Sequence, residues 1–240
     1  MKSVFSIIAP MICASVLLLS PVAHAEKYML YTEELPPYSF KGGDKRGAAI
    51  DIASALFERS GLDYEVKITP WKRAYVTVEN TPNTCLFPAQ RNQEREASFH
   101  WVSPLYISQT AFYGLETDGL VIRTLNDAKG LKIGSYNGSA AAEYLQGWGH
   151  DVKTVAHDKQ NIMKLSRNRV DLWASDTLSA AYQAKKHNTV LQRKLVYFST
   201  LRALACSLDI PKAIVDKLQA ELGSMYGDGT IDKIMADYRK

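Results

Sequence analysis

The clearest local candidate for chemistry is the turn at residues 134–139, which reads Gly-Ser-Tyr-Asn-Gly-Ser. It follows a predicted strand and precedes a predicted helix. Its backbone N–H groups and the hydroxyl of Ser139 could therefore bind an anion at the helix N-terminus. The same residues also fit a plain turn in which Ser139 only caps the helix. The sequence leaves both interpretations open.

Other reactive side chains form no catalytic or metal-binding pattern. The sequence contains no nucleophile elbow, phosphate-binding loop, dinucleotide-binding glycine fingerprint or zinc-type histidine cluster. Glu33 and Glu34 are adjacent carboxylates, but neighbouring acids on a chain are usually solvated. We therefore predict that the protein is not an enzyme and needs no metal or cofactor.

Composition and charge exclude several classes of function. The chain has 240 residues, is 46% hydrophobic, and carries a formal charge of +4 from 29 basic and 25 acidic side chains. These values are typical of a globular protein and not of a disordered or fibrous one. The positive charges are spread without a basic run, so we expect no nucleic-acid partner.

Residues 1–25 have the pattern of a secretory signal peptide. Lys2 precedes an apolar stretch that ends in Ala-His-Ala at residues 23–25. A membrane anchor is the competing interpretation, but no stop-transfer charges follow the stretch. We expect cleavage after Ala25 and export of a free protein. Two cysteines remain, Cys85 and Cys206, in an oxidising compartment that permits a disulfide.

Strands and helices alternate along the rest of the chain. Strands are predicted at 27–32, 64–68, 84–87, 131–135, 152–155, 170–174 and 203–208. Helices are predicted at 48–60, 71–79, 140–146, 159–167, 178–186 and 230–238, with another opened by Pro211. This order indicates two α/β units with parallel strands, joined by an extended segment at 103–114. The C-terminal tail is too short to fold alone, so we expect it to return to the first unit.

The segment at 91–105 resembles a known family. It reads Arg-Asn-Gln-Glu-Arg-Glu and then, from residue 99, Phe-His-Trp-Val-Ser-Pro-Leu. It is similar to the segment Thr-Pro-Glu-Arg and Phe-Ser-x-Pro-Tyr of the periplasmic solute-binding proteins of family 3, which are the polar amino-acid-binding components of ABC importers. Arg95 precedes Trp101 by six residues, the offset between that family's ligand-binding arginine and its hinge aromatic residue. Similar matches at 32–38, 47–51, 127–134, 170–176 and 227–234 extend the resemblance over nearly the whole mature chain.

This resemblance implies a type II periplasmic binding-protein fold, in which two α/β lobes joined by two hinge strands close around a ligand. It implies that residues 26–110 and 199–240 form lobe 1 and residues 111–198 form lobe 2. It also implies that Cys85 and Cys206 lie on neighbouring strands, where a disulfide needs favourable Cβ geometry.

The resemblance also assigns ligand contacts. Arg95 would bind a carboxylate with its planar fork of donors, and Asp176 would accept from an ammonium group. Taken alone, Arg95 would be a solvated charge and Asp176 a helix N-cap. Ser139 is the nearest hydroxyl, because Gln90 and Ala140 replace the hydroxyl-bearing residues of the family's pocket.

Aromatic and acidic residues would complete the cleft. The resemblance points Tyr38, Trp71 and Trp101 inward, where they could stack on a ligand, although core packing is the alternative for each ring. Glu33 and Glu34 would form a negative wall for a basic ligand, or would only contribute solubility.

The sequence thus predicts a monomeric periplasmic component of an ABC importer that delivers a small amino-acid-like or carboxylated metabolite to an inner-membrane permease. Pro-Trp-Lys-Arg-Ala at 70–74 matches a subgroup with Pro-Trp-x-Arg-Ala and Arg-x-x-Glu-Arg-Glu motifs, and this match names no single amino acid. One alternative is an enzyme on the same scaffold, similar to cyclohexadienyl dehydratase, with Glu33, Glu34 or His100 as its acid or base. Another is a ligand-sensing module for a membrane receptor.

Overall fold

The computed structural model describes residues 27–238, so the predicted signal peptide lies outside the described residues. Its strands are β1 (Tyr28–Thr32), β2 (Tyr64–Ile68), β3 (Thr84–Gln90), β4 (His100–Leu115), β5 (Lys132–Tyr136), β6 (Asp151–Val155), β7 (Leu172–Asp176) and β8 (Leu191–Cys206). Its α-helices are α1 (Ala48–Arg59), α2 (Trp71–Asn80), α3 (Ala140–Gly147), α4 (Gln160–Ser166), α5 (Thr177–Lys186), α6 (Lys212–Gly227) and α7 (Thr230–Tyr238). In this part of the chain, no helix is long and apolar enough to cross a membrane.

The strands form one mixed sheet in the order β2-β1-β3-β8-β4-β7-β5-β6. β1 pairs in parallel with β2 and β3, and β5 pairs in parallel with β6 and β7, as the alternating pattern predicts. The long strands β4 and β8 pair antiparallel through the middle of the sheet. The fold is thus a two-lobed α/β arrangement whose halves share these two strands. The boundaries predicted at 110/111 and 198/199 fall inside β4 and β8, beside a register shift between Thr110 and Ala111.

β8 is longer than the pattern predicted. It begins at Leu191 rather than at Ala203 and spans 16 residues. Its first half contains Gln192, Arg193 and Lys194, which interrupt the apolar alternation that marks a strand in a sequence. Pairing with β4 determines this extended backbone, because strand formation depends on neighbouring strands more than on intrinsic propensity.

Each half of the sheet has a hydrophobic core, and a further cluster joins Trp71 and Leu86 of the first half to Tyr136 of the second. Leu56 and Phe57 of α1 pack with Leu218 of α6 and Met235 of α7 on the first half. The C-terminal helices therefore pack on the first half of the sheet. On the second half, buried residues of β5, α3 and β7 form a core.

The start of α1 holds the loop that follows β1. Gly47 has φ of 111°, and a Cβ there would lie 2.4 Å from the backbone oxygen of Tyr38. Only glycine permits this approach. The N–H groups of Ala48 and Ala49 donate to the backbone oxygens of Pro37 and Tyr38, at 3.1 and 2.8 Å. The loop at 33–39 is therefore fixed against the first turn of α1, at the edge of the sheet where the site lies.

Candidate ligand-binding site

The two halves of the molecule touch directly across a cleft. The Trp71 indole N–H donates to the Gly138 backbone oxygen at 2.8 Å, and Lys159 Nζ lies 2.8 Å from Glu34 Oε2. The cavity lined by Asp176 and Arg202 measures about 10 Å³, the space of one water molecule. A surface groove of about 490 Å³ lies beside it, between residues 92–94 of the first half and α3 of the second. The halves are therefore closed over the inner cavity, and a ligand larger than water can enter it only if they separate.

Arg95 is directed from the first half toward the second. Its short 3-10 helix, Gln93–Ser98, begins where the Asn92 side chain accepts from the Arg95 N–H at 3.2 Å. The guanidinium is 3% exposed, and Nη2 contacts Glu143 Oε2 at 2.5 Å and the Gly138 oxygen at 2.9 Å. Nη1 is buried without a hydrogen-bond partner. Arg95 is therefore not a solvated charge. Nη2 of its guanidinium group forms hydrogen bonds, whereas Nη1 forms none.

Asp176 caps a helix and also lines the cavity between the halves, so it fits both interpretations of its sequence position. Its Oδ1 accepts from the N–H groups of Leu178 and Ser179, which makes it the N-cap of α5. Its Oδ2 is buried without a hydrogen-bond partner and lies 3.7 Å from Nη2 of Arg202. The cap uses one carboxylate oxygen, and the other remains for the cleft.

Arg202 is a cleft residue that the sequence reasoning missed. It lies on β8, its Nε donates to Ser108 Oγ at 2.8 Å, and it lines the cavity. Burial lowers its pKa, but Tyr136, Asp176, Tyr106 and Tyr38 all raise it, so its pKa lies above the ordinary value. In the sequence, Arg202 stands out as one charged residue in the apolar run Leu-Arg-Ala-Leu-Ala-Cys at 201–206, which could have indicated a buried charge.

Glu33 and Glu34 have different environments. Glu33 is 1% exposed, with Oε2 buried and without a hydrogen-bond partner. Burial raises its pKa from 4.5 to about 8, and the nearby Asp158 adds to the shift. Glu34 instead pairs with Lys159. The usual solvation of adjacent acids fails here because the fixed loop buries Glu33 near Asp158 and Arg202.

Asp158 is a second residue that the sequence reasoning missed. Its Oδ1 accepts from the Trp173 indole at 2.8 Å and from Asn161 at 3.3 Å, and its Oδ2 accepts from Ser175 Oγ at 2.6 Å. Burial nevertheless raises its pKa from 3.8 to about 6. Like Asp176, it lies in a turn from a strand to a helix, and that shared position was the signal in the sequence.

Ser139 is the N-cap of α3. Its Oγ accepts from the Ala142 N–H at 3.1 Å and lies 3.1 Å from Ser135 Oγ. The structure therefore confirms that Ser139 caps the helix, as one of the two interpretations of this turn predicted. The same turn contributes the Gly138 oxygen that both Trp71 and Arg95 contact.

The three predicted aromatic residues occupy different places. Trp71 is 2% exposed, and the Arg95 guanidinium lies 5.9 Å from its ring centroid. Tyr38 stacks on Tyr106 at 4.8 Å within the core of the first half. Trp101 packs against Phe99 and lies beneath the Arg91 guanidinium. Of the three, Trp71 is the one in contact with Arg95.

The cavity combines opposite charges with neutral polar groups. It is lined by Leu35, Gln90, Thr110, Tyr136, Ala141, Asp158, Ala174, Ser175, Asp176 and Arg202. One guanidinium and two carboxyl groups can bind a small molecule that carries both charges. In the described residues 27–238, no group of three or more His, Cys, Asp or Glu side chains could hold a metal ion. The fold and site thus define a two-lobed protein with a charged cleft suited to a small polar molecule.

Comparison with known proteins places this class in one family. Residues 29–240 match the model of the bacterial extracellular solute-binding proteins, family 3, and the chain belongs to that family. It is 26% identical over 208 residues to the L-cystine-binding protein TcyJ of Escherichia coli, covering 83% of this chain and 77% of that protein. It is 28% identical over 218 residues to ABC transporter arginine-binding protein 1 of Escherichia coli, covering 83% and 84%.

Solved structures share the fold. An ancestral arginine-binding protein bound to arginine superposes with a TM-score of 0.80 at 22% identity, covering 90% of this chain and 99% of the other. An ancestral amino acid-binding protein, a precursor of cyclohexadienyl dehydratase, superposes with a TM-score of 0.77 at 19% identity, covering 89% and 96%. At these identities the similarity establishes the type II periplasmic binding-protein fold alone.

Proposed function

We propose that this protein is the periplasmic substrate-binding component of an ABC importer, which captures an amino-acid-like molecule by lobe closure. We further propose that it acts as a monomer and delivers the ligand to an inner-membrane permease. The named relatives, which bind L-cystine and arginine, support this proposal. The observation that carries it is the buried Arg95, which projects across the cleft with one donor unpaired.

In this proposal the cleft binds the two α-groups of the ligand. The ligand carboxylate replaces Glu143 at the Arg95 guanidinium, where it can accept two parallel hydrogen bonds. The ligand ammonium group donates to Oδ2 of Asp176, which has no hydrogen-bond partner in the closed arrangement. The ligand shifts the open–closed equilibrium by binding the closed state more tightly.

We also propose that the chain belongs to the subgroup with the Pro-Trp-x-Arg-Ala and Arg-x-x-Glu-Arg-Glu motifs. Trp71 and Arg95 come from these two motifs, and both donate to the backbone oxygen of Gly138. The two motifs therefore form one contact between the halves, which gives a physical reason for their joint occurrence.

Arg95→Ala should remove ligand binding. In a thermal-shift screen against amino acids, dicarboxylates, polyamines and short peptides, a ligand at about 100 times its dissociation constant stabilises the native state by ~2.7 kcal/mol. This shift should vanish in Arg95→Ala and persist in Arg91→Ala, whose parent side chain pairs with Glu96. Unchanged affinity in Arg95→Ala, measured by calorimetry, would contradict the binding mode. If no compound in the panel shifted the unfolding temperature of the parent protein, the proposed function itself would be contradicted.

Glu143→Gln should tighten ligand binding, by roughly two- to fivefold. The Glu143 carboxylate competes with the ligand for Arg95, and its side chain is 47% exposed, so the pair is worth little in water-accessible surroundings. Isothermal titration of the variant would measure the gain. Glu94→Gln, from the same surface groove, is the control and should bind as the parent does. Weaker binding in Glu143→Gln would show that Glu143 contacts the ligand itself.

An enzyme on the same scaffold is the second candidate. Glu33 favours it, because a buried carboxyl group with a pKa of about 8 is protonated at neutral pH and could act as a general acid. NMR spectra of each ligand that binds, recorded over time with the protein, would decide. Conversion of the ligand, lost in Glu33→Gln, would identify an enzyme, whereas unchanged spectra would support binding alone.

A ligand-sensing role is tested with the permease. A histidine kinase sensor domain shares the fold, with a TM-score of 0.80 at 16% identity, covering 88% of this chain and 95% of that domain. Stimulation of the ATPase of the reconstituted importer by the liganded protein would support transport. Absence of stimulation, with the ligand bound, would favour sensing.

A further inference from the structure

The surface groove beside the inner cavity has one wall from each half of the molecule. Residues 92–94 of the first half form one wall, and Glu143, Tyr144 and Trp148 at α3 form the other. Its volume of about 490 Å³ lies within the range of concave sites for small molecules. Because both halves contribute a wall, the groove is complete only in the closed arrangement.

Aromatic rings line the second wall of the groove. The ring centroid of Tyr144 lies 6.2 Å from that of Trp148 and 5.5 Å from that of Phe198. Trp148 is 62% exposed, although burial of a tryptophan ring stabilises a folded protein. Contiguous exposed apolar surface marks a binding site more often than a single exposed residue does. The exposed indole is therefore available to stack on a flat or cationic group.

Two carboxylates line the same groove. Glu94 comes from the first half and Glu143 from α3, and both side chains are exposed. The described residues that line the groove include no lysine, arginine or histidine. Lys129 donates to the backbone oxygen of Trp148 but does not line the groove. Arg95 offsets the charge of Glu143, and the charge of Glu94 remains, so the groove attracts a cation.

We propose that this groove is a second binding site, separate from the inner cavity, for a small organic cation with an apolar body, such as a methylated ammonium or an aromatic amine. The positive charge lies between Glu94 and Glu143, and the apolar body stacks on Trp148 and Tyr144. Because the two carboxylates come from opposite halves, the bound cation favours the closed arrangement.

This site is coupled to the inner one through Glu143. The coupling rests on the proposed function, in which the carboxylate of the amino-acid-like ligand displaces Glu143 from Arg95. The displaced Glu143 carboxylate loses its countercharge and attracts the cation more strongly. Coupling between two sites is reciprocal, so each ligand should raise the affinity for the other by about fivefold or more.

The experiment titrates the mature protein with choline and with benzyltrimethylammonium, followed by tryptophan fluorescence. Trp71 and Trp173 are 2% and 0% exposed, so the signal of a cation in the groove comes from Trp148. Choline should bind at least about tenfold more tightly than its neutral analogue, in which carbon replaces the ammonium nitrogen. Glu94→Gln should weaken choline binding by roughly threefold or more. Glu143→Gln should also weaken choline, although it tightens the amino-acid-like ligand.

A variant that fills the groove tests its location. A Cβ at Gly147 would have no atom within 4 Å, so Gly147→Leu places a larger side chain in the groove without a clash. Isothermal titration, which does not depend on Trp148, should show no choline binding by this variant. Gly223→Leu is the matched control, because Gly223 lies in α6 with the same open surroundings. It should bind choline as the parent does.

Each outcome separates the second site from the proposed function. Failure of both cations to bind, equal binding of choline and its neutral analogue, or choline binding that persists in Gly147→Leu would overturn the second site. Competition between choline and the amino-acid-like ligand would also overturn it, since the two would then share one site. Independent binding of the two would overturn the coupling through Glu143. Choline binding without binding of any amino acid would overturn the proposed function and leave the second site.

Discussion

Arg202→Leu should lower the free energy of unfolding by about 3–5 kcal/mol, because removal of one partner of a buried ion pair leaves the other charge uncompensated. The variant leaves Asp176 without its buried countercharge at 3.7 Å and removes the donor to Ser108. Urea denaturation followed by circular dichroism would measure the loss.

Ligand binding should fall with stability in this variant. Arg202 lines the cavity, and it lies 3.7 Å from Oδ2 of Asp176, the oxygen that accepts from the ligand ammonium group in the proposed binding mode. Arg193→Leu, an exposed arginine on the same strand, is the control and should change stability by less than about 0.5 kcal/mol. Equal stabilities of the two variants would show that Arg202 is not part of the buried charge network.

Replacement of both Cys85 and Cys206 by alanine should lower the free energy of unfolding by about 2–5 kcal/mol. The structure joins these residues by a disulfide between β3 and β8, across a sequence separation of 121 residues. The upper end of the range is expected, because a longer closed loop constrains the unfolded chain more strongly. Denaturation of the parent and the double variant, each with and without reductant, would measure the change.

The reductant separates two contributions. Reductant should lower the free energy of unfolding of the parent protein and leave that of the double variant unchanged. The loss of packing by the buried sulfur atoms should lower the stability of the double variant alone. A parent protein whose denaturation midpoint does not respond to reductant, under conditions where free thiols are detected, would contradict the predicted contribution.

Local sequence patterns were sufficient for most of the elements. The helix at 140–146 and the strand at 152–155 each end within one residue of the observed α3 and β6, because their apolar periodicity reports the face that packs on a core. The six-residue offset between Arg95 and Trp101 indicated Arg95 as a candidate ligand contact, and in the structure its guanidinium pairs with Glu143 of the second half. It was less informative about Trp101, which packs beside Phe99, because a spacing in sequence does not specify which way a ring points.

The sequence by itself determined the alternating α/β order and the family, and it indicated Arg95 as a candidate ligand contact, since each depends on motifs of residues close together in the chain. Tertiary structure decided which charges are buried. Glu33, Asp158 and Arg202 are separated by 125 and 44 positions in the printed sequence, yet Asp158 and Arg202 both affect the pKa of Glu33. Burial and countercharge depend on distances between such segments, and only the pairing of β4 with β8 and the contact of the two halves set those distances.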